Sequence, residues 1–203
     1  MLVITGTQRS GTSVIAKALI ESGYDLGSTW YDEIAQGGYE NEMVCGFYRR
    51  YLGDPSFPFD DFHLPIVSEH KLYQYNPQVI KFSYLLMNPA FVTIWHRYRP
   101  HNDTFLVMSR SKEHVMRSKM RVPDRFEHDS LLLMQDIATM NWNFRTSSQL
   151  LPALGYQARV LPFPACLHWP VSDINERLAY LDPSVQIWPK AWARVVDLNK
   201  VHF

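Results

Sequence analysis

The sequence has few of the features that mark secreted, membrane-bound or nucleic-acid-binding proteins. Only two of its 203 residues are cysteines, and their wide separation argues against a disulfide framework or a closely spaced thiolate metal site. Lysine and arginine together number 20, and so do aspartate and glutamate, which gives a formal net charge of zero. Without an overall field the chain is not expected to bind nucleic acid or a membrane surface, so any anion site must be a local cluster of cations.

Long apolar runs are also absent. No segment approaches the roughly 20 consecutive apolar residues that a transmembrane helix needs, and Met1 leads into a short apolar run without the pattern of a signal peptide. These absences predict a cytoplasmic protein. The length suits one α/β domain with a full core, and we expect a single domain over residues 1–203.

Four short apolar runs alternate with segments of helical periodicity. We predict strands at Met1–Ile4, Gln78–Phe82, Thr104–Ser109 and Gln157–Leu161. This alternation is typical of an α/β protein, with three layers (α/β/α), a mostly parallel central sheet and a P-loop NTPase-like arrangement. In such sheets ligands bind at the carboxyl ends of the strands.

The segments between these strands carry further expectations. We expect loops at Ser28–Gly38 and Gly53–Pro65, the second long enough to form a lid or substrate wall. Helices are predicted at the following positions: Tyr39–Leu52, Asn88–Tyr98 with Asn88 as the cap, Lys112–Met120, Asp129–Leu151, and Ser172–Leu181 with Ser172 in a capping box.

The segment Gly6–Ser13 is the most informative stretch of the chain. It holds two glycines, four hydroxyl side chains and one cation, and it connects the first predicted strand to a helix. A glycine-bounded loop at a helix N-terminus suits an anion, because backbone N–H groups and the helix dipole both point at it. The spacing Gly6-x-x-x-x-Gly11 is that of a P-loop, but Thr12 stands where the usual lysine belongs, and the positive charge lies instead at Arg9.

Three predicted strands end in, or lead directly to, a cation. These are Arg9 after the first strand, Lys81 in the second and Arg110 after the third. In a parallel sheet all three lie at one edge, where they suit a ligand with several negative groups. A metal-dependent P-loop NTPase would instead need a lysine beside the loop hydroxyl and a carboxylate at a strand end.

The pattern of these residues resembles the P-loop sulfotransferases, which use 3′-phosphoadenosine-5′-phosphosulfate (PAPS). Their 5′-phosphosulfate loop, [KR]-S-G-T-[ST], is matched by Arg9–Ser13, and their 3′-phosphate motif by Arg110 with Ser118 eight residues later. Bacterial and glycan-type members often carry a lysine at the end of a strand between these two motifs, and Lys81 occupies the corresponding position in this sequence. The likeness extends from residue 3 to about residue 122, but Lys112 replaces the usual proline. The Gly-x-x-Gly-x-x-Lys segment of the cytosolic steroid and phenol enzymes is missing, which leaves the adenine contacts undefined.

The resemblance implies that PAPS donates a sulfuryl group and leaves as 3′-phosphoadenosine-5′-phosphate (PAP), with no metal required. The expected acceptor is a hydroxyl or amine of a small molecule or glycan. Donor contacts are expected from Gly6, Thr7, Gln8, Arg9, Ser10, Gly11, Thr12, Ser13, Arg110 and Ser118.

The same resemblance suggests which residues carry the chemistry. Arg9 is expected to bind the 5′-phosphosulfate, and Lys81 is expected either to stabilise the leaving oxygen or to steer the acceptor. Glu40 is the favoured general base, because Gly38–Asn41 is similar to a short form of the element that carries a catalytic glutamate in glycan-type members; a helix-capping role for Glu40 remains open. His63 is the second candidate for the base, and the weaker candidates are Glu42, Asp32 and His114.

Two other functional classes remain open from the sequence. A P-loop nucleotide or small-molecule kinase would use the same strand–loop–helix unit. A non-catalytic nucleotide-binding protein would bind the same ligand and transfer nothing. Neither the acceptor nor the oligomeric state can be read from the residues.

Overall fold

Parallel strands form the centre of the molecule. The structure, a computed structural model, describes residues 1–7, 10–32, 37–52, 69–99, 103–121 and 130–196. The strands in these ranges are β1 (Leu2–Gly6), β2 (Thr29–Asp32), β3 (Gly37–Asn41), β4 (Val79–Lys81), β5 (Thr104–Ser109) and β6 (Gln157–Pro162). Strands β4, β1, β5 and β6 lie side by side in that order, all parallel, and β2 pairs with β3 in a separate antiparallel hairpin.

Helices cover the sheet. In the described ranges they are α1 (Thr12–Glu21), α2 (Glu42–Leu52), α3 (Glu69–Gln74), α4 (Pro89–Tyr98), α5 (Lys112–Arg121), α6 (Ser130–Ala153), α7 (Val171–Leu181) and α8 (Pro189–Val195). Short 3-10 segments follow β4 and β6, at Ser83–Met87 and Ala165–His168. None of the helices that the structure describes is long and apolar enough to cross a membrane.

Alternate residues of the strands face opposite layers of helices. Leu2 and Ile4 pack in a core with α1, α7 and α8, whereas Val3 between them packs with α2, α4 and α6. Strand β5 repeats the pattern, with Leu106 on the first side and Phe105 on the second. Successive side chains of a strand point to opposite faces, so a sheet that is apolar on both faces has to be covered twice. The three-layer α/β/α prediction is therefore confirmed.

The four predicted sheet strands are confirmed to within two residues at their ends, and so is their parallel direction. The predicted cap of α4 is also present: the Asn88 side chain accepts a hydrogen bond from the Ala90 N–H at 3.0 Å, and Pro89 occupies the first helical position. These features depend on local residue patterns, which a sequence displays directly.

The predicted loop at Ser28–Gly38 is wrong, because this region contains β2 and the start of β3. The start of the following helix is wrong as well. Residues 39–41 belong to β3, and α2 begins at Glu42, where the Asn41 side chain accepts a hydrogen bond from the Val44 N–H at 3.2 Å. Asparagine at this position satisfies a backbone donor of the first helical turn and so ends the strand at the helix.

The predicted capping box at Ser172 is wrong too. Helix α7 begins one residue earlier, after Pro170, and the Asn175 side chain instead exchanges hydrogen bonds with the backbone of Ile187 at 2.7 and 2.9 Å. Helix α8 was not predicted. The expected lid at residues 53–65 lies outside the described residues, as does His63.

A buried ion pair secures the sheet edge opposite the carboxyl ends of the strands. Asp103, just before β5, accepts hydrogen bonds from the guanidinium of Arg99 at 2.7 and 2.9 Å and from the indole N–H of Trp95 at 3.0 Å. Arg99 also donates to the carbonyls of Leu72 and Tyr75 at 2.9 and 2.5 Å. The pair thus links α3, α4 and β5.

We expect Asp103→Asn to lower the free energy of unfolding by about 3–5 kcal/mol, because it leaves the Arg99 charge buried without its partner. Chemical denaturation monitored by circular dichroism measures this loss. The matched control is Glu21→Gln, which breaks the surface contact of Glu21 with Arg194 and should change stability by less than about 1 kcal/mol. Equal effects of the two substitutions would contradict the structural role of Asp103.

Candidate functional site

The carboxyl ends of the parallel strands meet at one edge of the sheet, as the sequence predicted. Strand β1 leads into the glycine-bounded loop, β4 ends at Lys81, and Arg110 and Phe163 directly follow β5 and β6. Because β1 lies between β4 and β5, Lys81 and Arg110 belong to strands on opposite sides of the loop. A ligand anchored in the loop can therefore extend towards a cation in either direction.

Glycine is required at Gly6, where β1 turns into the loop. A side chain there would collide with the backbone carbonyl of Met108 on β5 and with the Ser10 hydroxyl. The residue lies opposite Met108 in the parallel register, so the loop starts against the backbone of the neighbouring strand. This close approach lets the chain fold back towards the N-terminus of α1.

The loop contains two buried hydroxyl groups. Thr7 is 1% exposed and Ser10 is 0% exposed, and neither hydroxyl has a hydrogen-bond partner within the described part of the chain. The Ser10 N–H donates to the Thr7 carbonyl at 3.2 Å, which closes a turn just before α1. Buried polar groups are normally satisfied. Unsatisfied hydroxyls beside a helix N-terminus indicate a site for an anionic ligand.

The next two hydroxyls are already engaged. Thr12 Oγ1 lies 2.9 Å from Ser83 Oγ, and both side chains are buried. Ser13 Oγ lies 3.3 and 3.4 Å from the backbone nitrogen and oxygen of Gly38. The first turn of α1 is therefore joined to the 3-10 segment after β4 and to the β2–β3 hairpin. Gln8 and Arg9 lie outside the described residues, so their predicted roles remain predictions.

Glu40 and Lys81 form a buried ion pair beside the loop. Lys81 Nζ donates to Glu40 Oε1, and the two residues are 2% and 5% exposed, respectively. The ammonium also donates to the Gly38 carbonyl. The other carboxylate oxygen, Oε2, accepts the Ser83 N–H at 2.9 Å. Sequence analysis selected both charged residues as catalytic candidates without predicting that they pair.

A β-bulge directs Glu40 towards this partner. Trp30 pairs with Glu40 and Tyr31 with Gly38, so Tyr39 is an extra residue on β3. Gly38 has φ of 115° and Tyr39 has φ of 57°, a conformation that residues with a side chain rarely adopt. A bulge bends the strand and redirects the side chains that follow it. Here it coincides with the residue that places Glu40 next to Lys81.

Arg110 lies against an aromatic ring at the end of the neighbouring strand. Its guanidinium carbon lies 5.1 Å from the centre of the Phe163 ring. The Phe163 N–H donates to the Ser109 carbonyl at 2.7 Å, which carries the pairing of β5 and β6 one residue further. Ser118 lies in α5, as expected, but its side chain is outside the description.

Sequence analysis missed two residues of this site. Ser83 follows Lys81 by two positions and contacts both Glu40 and Thr12. Phe163 follows β6 in the same way that Arg110 follows β5. A search of all strand ends, rather than of charged residues alone, would have found both.

Cys45 lies close to the Glu40 carboxylate on the first turns of α2. Burial raises the pKa of the Cys45 thiol well above its ordinary value, and the negative charge of Glu40 raises it further. The thiol is therefore protonated at neutral pH and unsuited to act as a nucleophile.

The weaker base candidates are placed less favourably, or are not described. Glu42 begins α2 and accepts a hydrogen bond from the Ser28 hydroxyl. His114 lies in α5, with Nδ1 at 3.0 Å from the Ser111 hydroxyl. Asp32 lies in β2, and its side chain is outside the description. In the described ranges, no three His, Cys, Asp or Glu side chains form a group suited to a metal ion.

Comparison of the sequence and of the structure with known proteins finds only a weak structural similarity. No family model matches the chain, and no curated protein sequence matches it. Among solved structures, an unliganded sugar kinase from a Janibacter species is similar with a TM-score of 0.42 and 19% sequence identity, over 94% of this chain and 96% of that chain. A similarity of this size does not identify a function.

We expect Glu40→Gln and Lys81→Met each to lower the free energy of unfolding by about 3–5 kcal/mol, because each leaves one buried charge without its partner. The double variant should lose much less than the sum of the two, since it removes both charges. Chemical denaturation of the four proteins measures this coupling. Additive losses would show that the two charges do not stabilise each other.

We also expect Gly11→Ala to be more destabilising than Gly23→Ala. Both glycines have positive φ, 85° and 92°, so alanine is strained at either position. A methyl group at Gly11 would overlap the Phe163 ring, whereas nothing lies within 4 Å of one at Gly23. The excess should be about 1–3 kcal/mol, the usual cost of overpacking, and thermal denaturation of both variants measures it. Equal losses would mean that the ring moves aside freely.

Proposed function

We propose that the protein is a PAPS-dependent sulfotransferase that moves a sulfuryl group to a hydroxyl or amine of a small-molecule or glycan acceptor. The observation that carries this proposal is the pair of buried hydroxyls at Thr7 and Ser10, which have no hydrogen-bond partner among the described residues. They lie between a strand that ends at Lys81 and a strand that leads to Arg110. The loop hydroxyls and the neighbouring cations together suit a ligand that has one anionic group in the loop and a second one beside an adjacent strand.

The donor assignment follows the order of the strands. The loop and the N-terminus of α1 hold the 5′-phosphosulfate, with Arg9 supplying the charge that the usual P-loop lysine would supply. Arg110, on the β5 side, holds the 3′-phosphate together with Ser118. The acceptor then approaches from the β4 side, where the Glu40–Lys81 pair lies.

Sulfuryl transfer needs groups that stabilise the charge on the leaving phosphate and a base that takes the proton of the acceptor. The acceptor oxygen or nitrogen attacks sulfur, the bond from sulfur to the bridging phosphate oxygen breaks, and negative charge develops on the leaving phosphate. Lys81 stabilises that charge, and Glu40 takes the proton of the acceptor. Both Glu40 oxygens already accept hydrogen bonds, from Lys81 and Ser83, so one of these contacts has to open for the proton to reach the carboxylate.

Phosphoryl transfer from ATP is the second candidate. The spacing of Gly6 and Gly11 supports it, because a P-loop kinase places a hydroxyl residue for Mg²⁺ at the start of the same helix. Thr12 and Ser13 occupy this position, but their hydroxyls contact Ser83 and Gly38.

Calorimetric titration with PAP, AMP and ATP, with and without Mg²⁺, separates these functions. We expect PAP to bind more tightly than AMP or ATP and to need no Mg²⁺. Arg9→Ala should weaken PAP binding and slow sulfuryl transfer by about 30- to 1,000-fold, the effect of losing one strong charged contact at about 2–4 kcal/mol.

The alternatives give different results in the same titrations. Tighter binding of ATP with Mg²⁺, accompanied by ATP turnover, would replace the sulfotransferase with a kinase. Tight PAP binding without sulfuryl transfer to a panel of alcohols, phenols, amines and sugars would instead indicate a nucleotide-binding protein.

A further inference from the structure

Phe163 is the residue at which the loop and Arg110 meet. It follows β6, is 8% exposed, and belongs to the same core as α1 and α7. Its position is set by the main chain, because its N–H donates to the Ser109 carbonyl at the end of β5. The main chain of Phe163 is thus tied to the end of the sheet.

One part of the ring lies against the loop. Gly11 has no side chain and a positive φ, and a Cβ at this position would overlap the Phe163 ring carbons Cδ2, Cε2 and Cγ. The ring thus occupies the space that any other residue at Gly11 would fill. It determines how closely the start of α1 approaches β6.

The face of the same ring supports Arg110. The guanidinium carbon lies 5.1 Å from the ring centre, within the range of a cation–π interaction. Such a contact fixes where the guanidinium lies relative to the ring.

We propose that Phe163 is a positioning residue that sets the distance between the loop and Arg110, and so makes the site selective for adenine nucleotides with a 3′-phosphate over those with a 5′-phosphate alone. This inference rests on the proposed function, in which the loop binds the 5′ group and Arg110 the 3′ group. A two-point ligand binds tightly only when both points are held at the matching separation.

A role for Phe163 in packing alone makes a different prediction. Loss of packing would weaken every nucleotide by a similar factor, because AMP and PAP share the loop. Loss of the fixed separation weakens PAP more than AMP. The ratio of the two affinities therefore separates positioning from general support of the fold.

Calorimetric titration of wild-type protein, Phe163→Leu and Phe105→Leu with PAP and AMP tests the inference. Phe105 is a matched control, because it is also a buried phenylalanine, on neighbouring β5, but it faces the opposite core and contacts Tyr156. In Phe163→Leu we expect the preference for PAP over AMP to fall about three- to tenfold, the effect of losing one cation–π contact. Phe105→Leu should keep the wild-type ratio.

A double variant adds a second readout. Arg110→Gln removes the 3′-phosphate contact, so adding Phe163→Leu to it should lower the PAP to AMP ratio no further. An additional loss in the double variant would overturn the inference. If Phe163→Leu does not fold, Phe163→Met, which keeps most of the apolar volume but has no ring face, replaces it in both experiments.

The outcomes for the inference and for the proposed function are distinct. A wild-type preference for PAP that survives in Phe163→Leu overturns the positioning role and leaves the sulfotransferase proposal intact. Wild-type protein that binds AMP as tightly as PAP overturns both.

Discussion

The buried ion pair of Glu40 and Lys81 is the contact on which the rest of the site depends. Two charges removed from water are costly unless each finds a partner and its remaining hydrogen bonds are satisfied. Here Lys81 also donates to Gly38, and Glu40 accepts the N–H of Ser83. These contacts bind the hairpin to the end of β4, and the contact between Ser83 and Thr12 extends the network to the start of α1. The pair therefore holds three separate segments around one edge of the sheet.

The network has a consequence for the chemistry. The network fixes the acidic and basic groups on the β4 side in place, and both Glu40 oxygens are engaged, so a contact has to open before Glu40 could accept a proton. On the β5 side the positive charge is held differently, since Phe163 supports Arg110 through a ring face. One flank thus presents a paired carboxylate and ammonium, and the other presents a guanidinium stacked on a ring. The two sides of the loop therefore differ in charge.

Most of the sheet could be predicted from the sequence, and the hairpin could not. The runs that became β1, β4, β5 and β6 are short, apolar and separated by helical patterns, so both their type and their parallel direction follow from local order. Thr29–Asp32 and Gly37–Asn41 are short and polar, and they form strands because they pair with each other around a bulge. The positive φ of Tyr39 is unfavourable for a residue with a side chain, so the local sequence does not predict this conformation.

The sequence by itself determined the composition of the loop and the cations at the strand ends, because glycine spacing and strand periodicity are local properties. Tertiary structure alone decided which of these groups touch. Glu40 and Lys81 are 41 positions apart, and the ring of Phe163, which follows β6, lies against Gly11 at the start of α1. Such contacts depend on the order of strands in the sheet and on the bulge in β3. Both result from the packing of the whole core rather than from the spacing of residues along the chain.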